Sequence, residues 1–347
     1  MRFVKPNRLK VGDTVAALSP SWGGPSLYPH VFDLGLRNLE QKFGLKIKEF
    51  PTARMDNETI YRNPKLRADD LNRAFEDPEV TAILASIGGD DSVRILPFLD
   101  LDLIKANPKI LMGFSDSATF LTFLNTQGLV TYNGPSIMAG FAQMEHLDKA
   151  FETHVRELLF ESPETYDFRP YSTWSDRYAP WSTPGYKGEV EAVFANDEGW
   201  RWLQGTSVAR GRLFGGCIEV LEFLKGTRFW PTLDFFNDVV MFFETSEDKP
   251  SVSNVMYMLR NYGSMGVLER AAGLMFGRAR SYSPLEKAEL DNILVRTVSE
   301  EFGRPDMPIV SNLDFGHTEP QWVMPLGIGT EVDCQSRTIR LSESPTS

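Results

Sequence analysis

A serine, a glutamate and a histidine of this 347-residue chain stand where each could take part in acyl transfer. The serine is Ser115. The stretch Lys109-Ile-Leu-Met-Gly-Phe-Ser-Asp-Ser-Ala-Thr-Phe120 runs from an apolar strand into Gly113-Phe-Ser115-Asp-Ser117 and directly on into a helix. A nucleophile elbow needs that strand, turn and helix, and the small residues Gly113 and Ser117 leave room for a sharp bend. Ser115 would sit at the helix start, where free N–H groups and the positive dipole end favour a developing oxyanion. Ser115 or Asp116 could equally cap the helix, and G-x-S-x-S departs from the usual G-x-S-x-G, so the pattern alone leaves both roles open. A second turn, Ala85-Ser-Ile-Gly88-Gly89-Asp90-Asp91-Ser92, also follows a strand. A backbone amide there could complete an oxyanion hole with the amide of Asp116. A phosphate-binding turn is the rival reading, opposed by Asp90 and Asp91 and by the lack of GxGxxG or Walker spacing. A plain tight turn accounts for the glycines as well.

A serine needs a base, and the base an orienting carboxylate. Four histidines are available, and His30, His146 and His154 lie in or beside helical stretches among charged neighbours, as solvated-face residues would. His317 lies instead in Phe315-Gly-His-Thr-Glu-Pro320-Gln-Trp-Val-Met-Pro325-Leu-Gly327, an irregular loop after a strand, where catalytic side chains are common. Glu244 ends the run Val239-Val-Met-Phe-Phe-Glu244, apolar enough to be a buried strand, so its carboxylate needs a partner. Glu247 and Asp248, further out, read as solvated turn residues.

The elements that must position these groups alternate in the first half. Strands are expected at 13–19, 45–50, 81–87, 110–114 and 129–133, and helices at 31–43, 63–75, 92–98 and 116–127. Such alternation is the signature of βαβ units and a parallel sheet, an α/β, Rossmann-like domain. Periodicity fails between about 162 and 188, in a polar loop carrying Trp174 and Trp181. Beyond it, strands are expected at 188–194, 207–213, 239–244, 273–277, 309–312, 331–334 and 338–341, and helices at 218–225, 251–262 and 284–302. The expected division is a Rossmann-like domain over 1–165, a linker and specificity loop over 166–187, and a smaller mixed α+β domain over 188–347.

A chain of this length can bury a sizeable core without cross-links. Its 36 basic and 47 acidic residues give a net charge of −11 and a pI near 5.0, which argues against nucleic acid as a partner. No secretory leader or membrane span is read from the sequence, and Cys217 and Cys334 are too few for a disulfide framework or a CxxC zinc site, so a reduced, cytoplasmic setting is expected. Cys217 opens a helical stretch and reads as a buried structural thiol.

Five segments in order, Ile-Gly-Gly-Asp-Asp-Ser (87–92), Gly-Phe-Ser-Asp-Ser (113–117), Gly-Arg-Leu-Phe-Gly-Gly (211–216), Phe-Phe-Glu-Thr-Ser-Glu-Asp-Lys-Pro-Ser (242–251) and Asn-Leu-Asp-Phe-Gly-His-Thr-Glu-Pro (312–320), resemble the LD-carboxypeptidase family of serine peptidases. Within it the resemblance is to the microcin C self-immunity branch. It implies a triad with Ser115 attacking, His317 as base and Glu244 orienting it, and an oxyanion hole from the amides of Gly89 and Asp116. It also implies a homodimer, with no cofactor or metal, acting on a small peptide or peptidyl-nucleotide. The scissile bond would be an amide beside a free carboxylate, either the L,D bond of a muropeptide or the amide of an acyl-aminoacyl adenylate. Trp181 is the candidate to stack on a purine and, with Asp90, to line the substrate site. Cys217 stands where the family commonly has Asn, which puts a local hydrogen bond in doubt but not the triad.

Overall fold

Apolar strands alternating with helices build the first sheet from β1 (Thr14–Leu18), β2 (Lys46–Glu49), β3 (Val80–Ala85), β4 (Ile110–Gly113) and β5 (Thr131–Asn133). The order is β2-β1-β3-β4-β5, parallel throughout, in a computed structural model that describes residues 3–347. Val15 to Leu18 and Ala82 to Ala85 are buried, as strands covered on both faces must be. The helix Pro29–Phe43 turns Val31, Phe32, Leu36, Leu39 and Phe43 inward and stops at Gly44, which takes the left-handed conformation that favours glycine.

The rest of the chain contributes β6 (Tyr166–Asp167), β7 (Thr173–Trp174), β8 (Phe194–Ala195), β9 (Arg201–Gln204), β10 (Val208–Cys217), β11 (Val239–Glu244), β12 (Gly273–Gly277), β13 (Ile309–Leu313), β14 (Met324–Leu326), β15 (Gly329–Asp333) and β16 (Thr338–Leu341). The second sheet runs β6-β16-β15-β10-β11-β12-β13-β9, with β10 to β13 parallel. The carboxyl ends of β1, β3 and β4 in one sheet and of β11, β12 and β13 in the other supply the loops that line a shared cleft, the position where open parallel sheets bind ligands. One buried cluster takes residues from both sheets, among them Met112, Tyr132, Leu213, Phe242 and Trp322.

Several expectations need correction. The strand expected over 188–194 reduces to β8, which pairs with β7, because Val193 and Phe194 stay exposed and offer no buried face. The helix expected over 218–225 ends at Leu221, and Ser92–Phe98, which contains Pro97, is a 3-10 helix. β14 carries no strand signal in the sequence, since it is three residues long with Pro325 inside. Proline is tolerated because β14 is an edge strand, antiparallel to β5. His154 is not a solvated-face residue. It is buried, its Nδ1 meets the Tyr166 hydroxyl at 2.7 Å, and the Val323 amide donates to its Nε2 at 2.8 Å.

An Nε2 that accepts an amide proton belongs to a neutral ring, and burial pushes the His154 pKa down from 6.5 to about 3. The unfolded chain therefore binds more protons than the native one between pH 6.5 and about 3. The stabilisation is complete above pH 6.5 and is lost as pH falls through that window, with a limiting slope of about 1.4 kcal/mol per pH unit. Urea unfolding at pH 7 and pH 5 should register this loss for the native protein, and His154→Gln should flatten the difference.

Candidate active site

The turn after β4 gives Ser115 its exposure. Its φ is +59°, a left-handed conformation unusual for serine, which lifts the side chain out of the chain path between β4 and the helix Ala118–Thr126. Neither Ser115 nor Asp116 caps that helix. The buried Asp116 carboxylate instead accepts the Ser21 hydroxyl and, at 2.8 Å, the Ser92 amide, tying the ends of β1 and β3 to the elbow. Burial raises the pKa of this carboxyl. The glycine pair faces Ser115 closely: a Cβ on Gly88 would lie 2.8 Å from Ser115 Cβ and 3.5 Å from the Asp116 amide nitrogen. The Gly89 amide has no hydrogen-bond acceptor among the described residues.

Glu244 ends β11 with no exposure, and its Oε2 meets His317 Nδ1 at 2.6 Å. Gly316 makes this approach possible. Its φ is +99°, and a Cβ there would fall 2.6 Å from Glu244 Cβ and 2.7 Å from Oε2. The Phe114 ring packs edge-on against the imidazole at 5.1 Å. The second ring nitrogen does not meet the serine in this arrangement. His317 Nε2 lies 3.0 Å from Glu247 Oε2, and it has no aligned hydrogen bond among the described residues. Burial opposes charge on the ring, but Glu244 and Glu247 together outweigh it and push the pKa up to about 10. The same contact pulls Glu247 down to about 2.

Ser115 and His317 open on one cavity of about 510 Å³, also lined by Gly88, Gly89, Asp90 and Trp181. The sequence candidates that make no wall of it, Glu244 and Asp116, support it from behind. Trp181 packs edge-on against Tyr28 at 5.5 Å and nearly parallel to Tyr178 at 5.9 Å, and its backbone carbonyl is held by His30 Nε2 at 2.7 Å. Trp174, in the same loop, lies elsewhere, between the Arg278 guanidinium and Lys287 Nζ, each 4.8 Å from its ring. Sequence reasoning missed Trp22, Tyr178, Arg280 and the contact made by Glu247. Arg280, three residues past the end of β12, could have been noticed as a cation at a strand's carboxyl end. The Tyr178 hydroxyl donates at 2.6 Å to Glu319, a buried carboxyl that desolvation raises to about 7.

Comparison with known proteins decides what kind of enzyme uses this geometry. Residues 15–134 match the LD-carboxypeptidase N-terminal domain and residues 210–332 the C-terminal domain. The chain belongs to the LD-carboxypeptidase family. It is thus a serine carboxypeptidase. It is 26% identical over 339 residues to the microcin C7 self-immunity protein MccF of Escherichia coli, covering 96% of this chain and 94% of that one. It is 27% identical over 341 residues to a Bacillus subtilis protein named "Probable murein peptide carboxypeptidase", covering 96% of this chain and 93% of that one. The structure of MccF in complex with aspartyl sulfamoyl adenosine superposes with a TM-score of 0.85 at 26% identity, over 99% of this chain and 100% of the other.

Gly316→Ala should lower kcat/KM about a hundredfold by moving His317 relative to Glu244, the scale of effect known for displacements near 1 Å. Urea unfolding of the same variant should show a loss of about 1–3 kcal/mol from the strained backbone.

Proposed function

We propose that this carboxypeptidase cleaves the amide of an acyl-aminoacyl adenylate through Ser115, His317 and Glu244. His317 Nε2 takes the hydroxyl proton as Ser115 Oγ attacks the carbonyl carbon. Glu244 fixes the tautomer by accepting the Nδ1 proton and favours the imidazolium that forms. The amides of Gly89 and Asp116 receive the oxyanion. Collapse returns the proton from His317 to the leaving nitrogen, and water then hydrolyses the acyl-Ser115 ester by the same groups in reverse. The observation that carries this reading is the buried 2.6 Å contact of Glu244 with a histidine opening on the cavity that holds Ser115.

The preference for a nucleotide-bearing substrate over a muropeptide rests on the wall of Trp22, Tyr178 and Trp181, three large rings suited to stacking on a base. Its likeness to MccF, whose structure was solved with aspartyl sulfamoyl adenosine, supports the same choice. Asp90, exposed at the cavity rim, would contact the polar part of the ligand. Among the described residues no helix is long and apolar enough to cross a membrane. We take the enzyme to work in the cytoplasm as a homodimer, so that light scattering should return about twice 39.2 kDa.

Turnover of an N-acyl aminoacyl adenylate analogue and of an L,D-tetrapeptide, followed by chromatography, tests the assignment. Ser115→Ala should lose about 10⁴-fold or more in kcat, and Glu244→Gln about 10⁴-fold through the wrong tautomer. Equal turnover by Ser115→Ala and the native protein would overturn the mechanism. Trp181→Ala should raise KM for the adenylate about tenfold, within the worth of one stacked base, and leave KM for the tetrapeptide unchanged.

A further inference from the structure

The base of the proposed triad has a carboxylate on each side. Glu244 meets Nδ1 at 2.6 Å, and Glu247 Oε2 lies 3.0 Å from Nε2, the atom that must take the serine proton. Glu247 is not a structural residue. Its side chain is 55% exposed, and among the described residues it makes no hydrogen bond and no other ion pair. Its backbone, in contrast, is fixed on both sides. Ser246 donates from its amide at 3.0 Å and from its hydroxyl at 2.7 Å to Glu219, and Lys249 pairs with Glu286 at 2.8 Å. Apart from His317, no side chain among the described residues holds the Glu247 carboxylate.

We propose that Glu247 is a lock on the base: it holds His317 Nε2, and substrate must displace it before that nitrogen can serve Ser115. This rests on the function proposed above. Two carboxylates on one imidazole favour its protonated form, which cannot accept a proton, so the lock keeps the base unreactive. Displacement leaves His317 one carboxylate and lowers its proton affinity towards the range in which a general base works. Arg280 lines the same cavity and has no ion pair or hydrogen bond among the described residues, so it offers the displaced carboxylate a partner. The other groups facing the ring are Glu244 from β11, Glu319 from its own loop, and Phe114 and Ser115 from the elbow. Of these, burial raises the Glu319 carboxyl to about 7, so it carries less negative charge than Glu247, which is pulled down to about 2.

The test is the ¹⁵N-detected titration of the His317 ring in Ser115→Ala and in Ser115→Ala/Glu247→Gln, with no substrate present. The lock predicts that glutamine lowers the His317 midpoint by about one pH unit or more, a tenfold change in proton affinity. A midpoint that stays put overturns it. A second variant, Glu247→Ala, must shift the midpoint the same way, and a shift confined to one variant counts against the proposal. In enzymes with Ser115 intact, Glu247→Gln should move the acid limb of the kcat/KM profile to lower pH, an effect that a packing role for Glu247 would not produce. If the titration shifts but the native protein cleaves neither substrate, the lock stands and the assigned reaction fails.

Discussion

Glu244 has its carboxyl group fully inside the protein, and the site is arranged around that fact. A buried carboxylate without a partner is costly enough to unfold or neutralise, so His317 must be brought to it and kept there. Everything that makes this possible is local and small: Gly316 lets the backbone pass within contact of the carboxylate, Gly277 leaves room at the end of β12, and Phe114 closes the remaining side of the ring. The elbow obeys the same economy of space. Gly88 lacks the Cβ that would strike Ser115, and the buried Asp116 carboxylate joins three loop ends. Glu244 comes from the second sheet and Ser115 from the first, so their arrangement about His317 depends on how the two sheets meet.

Much of this was legible in the sequence because the signals were strong and short-range. Strands β11 and β12 match their expected limits, since unbroken apolar runs ending in Glu244 and Gly277 leave little choice of boundary. The strand, turn and helix around Ser115 could be read for the same reason, and so could the anomaly of a glutamate at the end of an apolar strand. What could not be read was set by distant contacts. His154 looks exposed in a helical stretch with charged neighbours, and is buried because Tyr166 and Val323 close over it. β14 exists only because the edge of the first sheet needs a partner. Glu247 differs from its neighbour Asp248 in reaching His317, a matter of side-chain direction on a turn, which residue type does not encode.

The aromatic loop shows both cases together. Of its two tryptophans, Trp181 is the expected ligand contact and reaches the cavity, while Trp174 is held between two cations on the second sheet's side. The first anchors the loop and the second uses the position so gained. His30 adds a third hold through the Trp181 carbonyl, so a histidine remote from the chemistry helps to shape the wall.

The segment carrying His317 begins in the second sheet at β13 and ends in the first at β14, ten residues separating Leu313 from Met324. It therefore works as a tie-rod. A segment joined to both sheets couples the imidazole to any change in how the sheets sit against each other. The position of His317 over the cleft is therefore tied to both sheets at once, and the length of the segment between β13 and β14 bears on it as much as the side chains do.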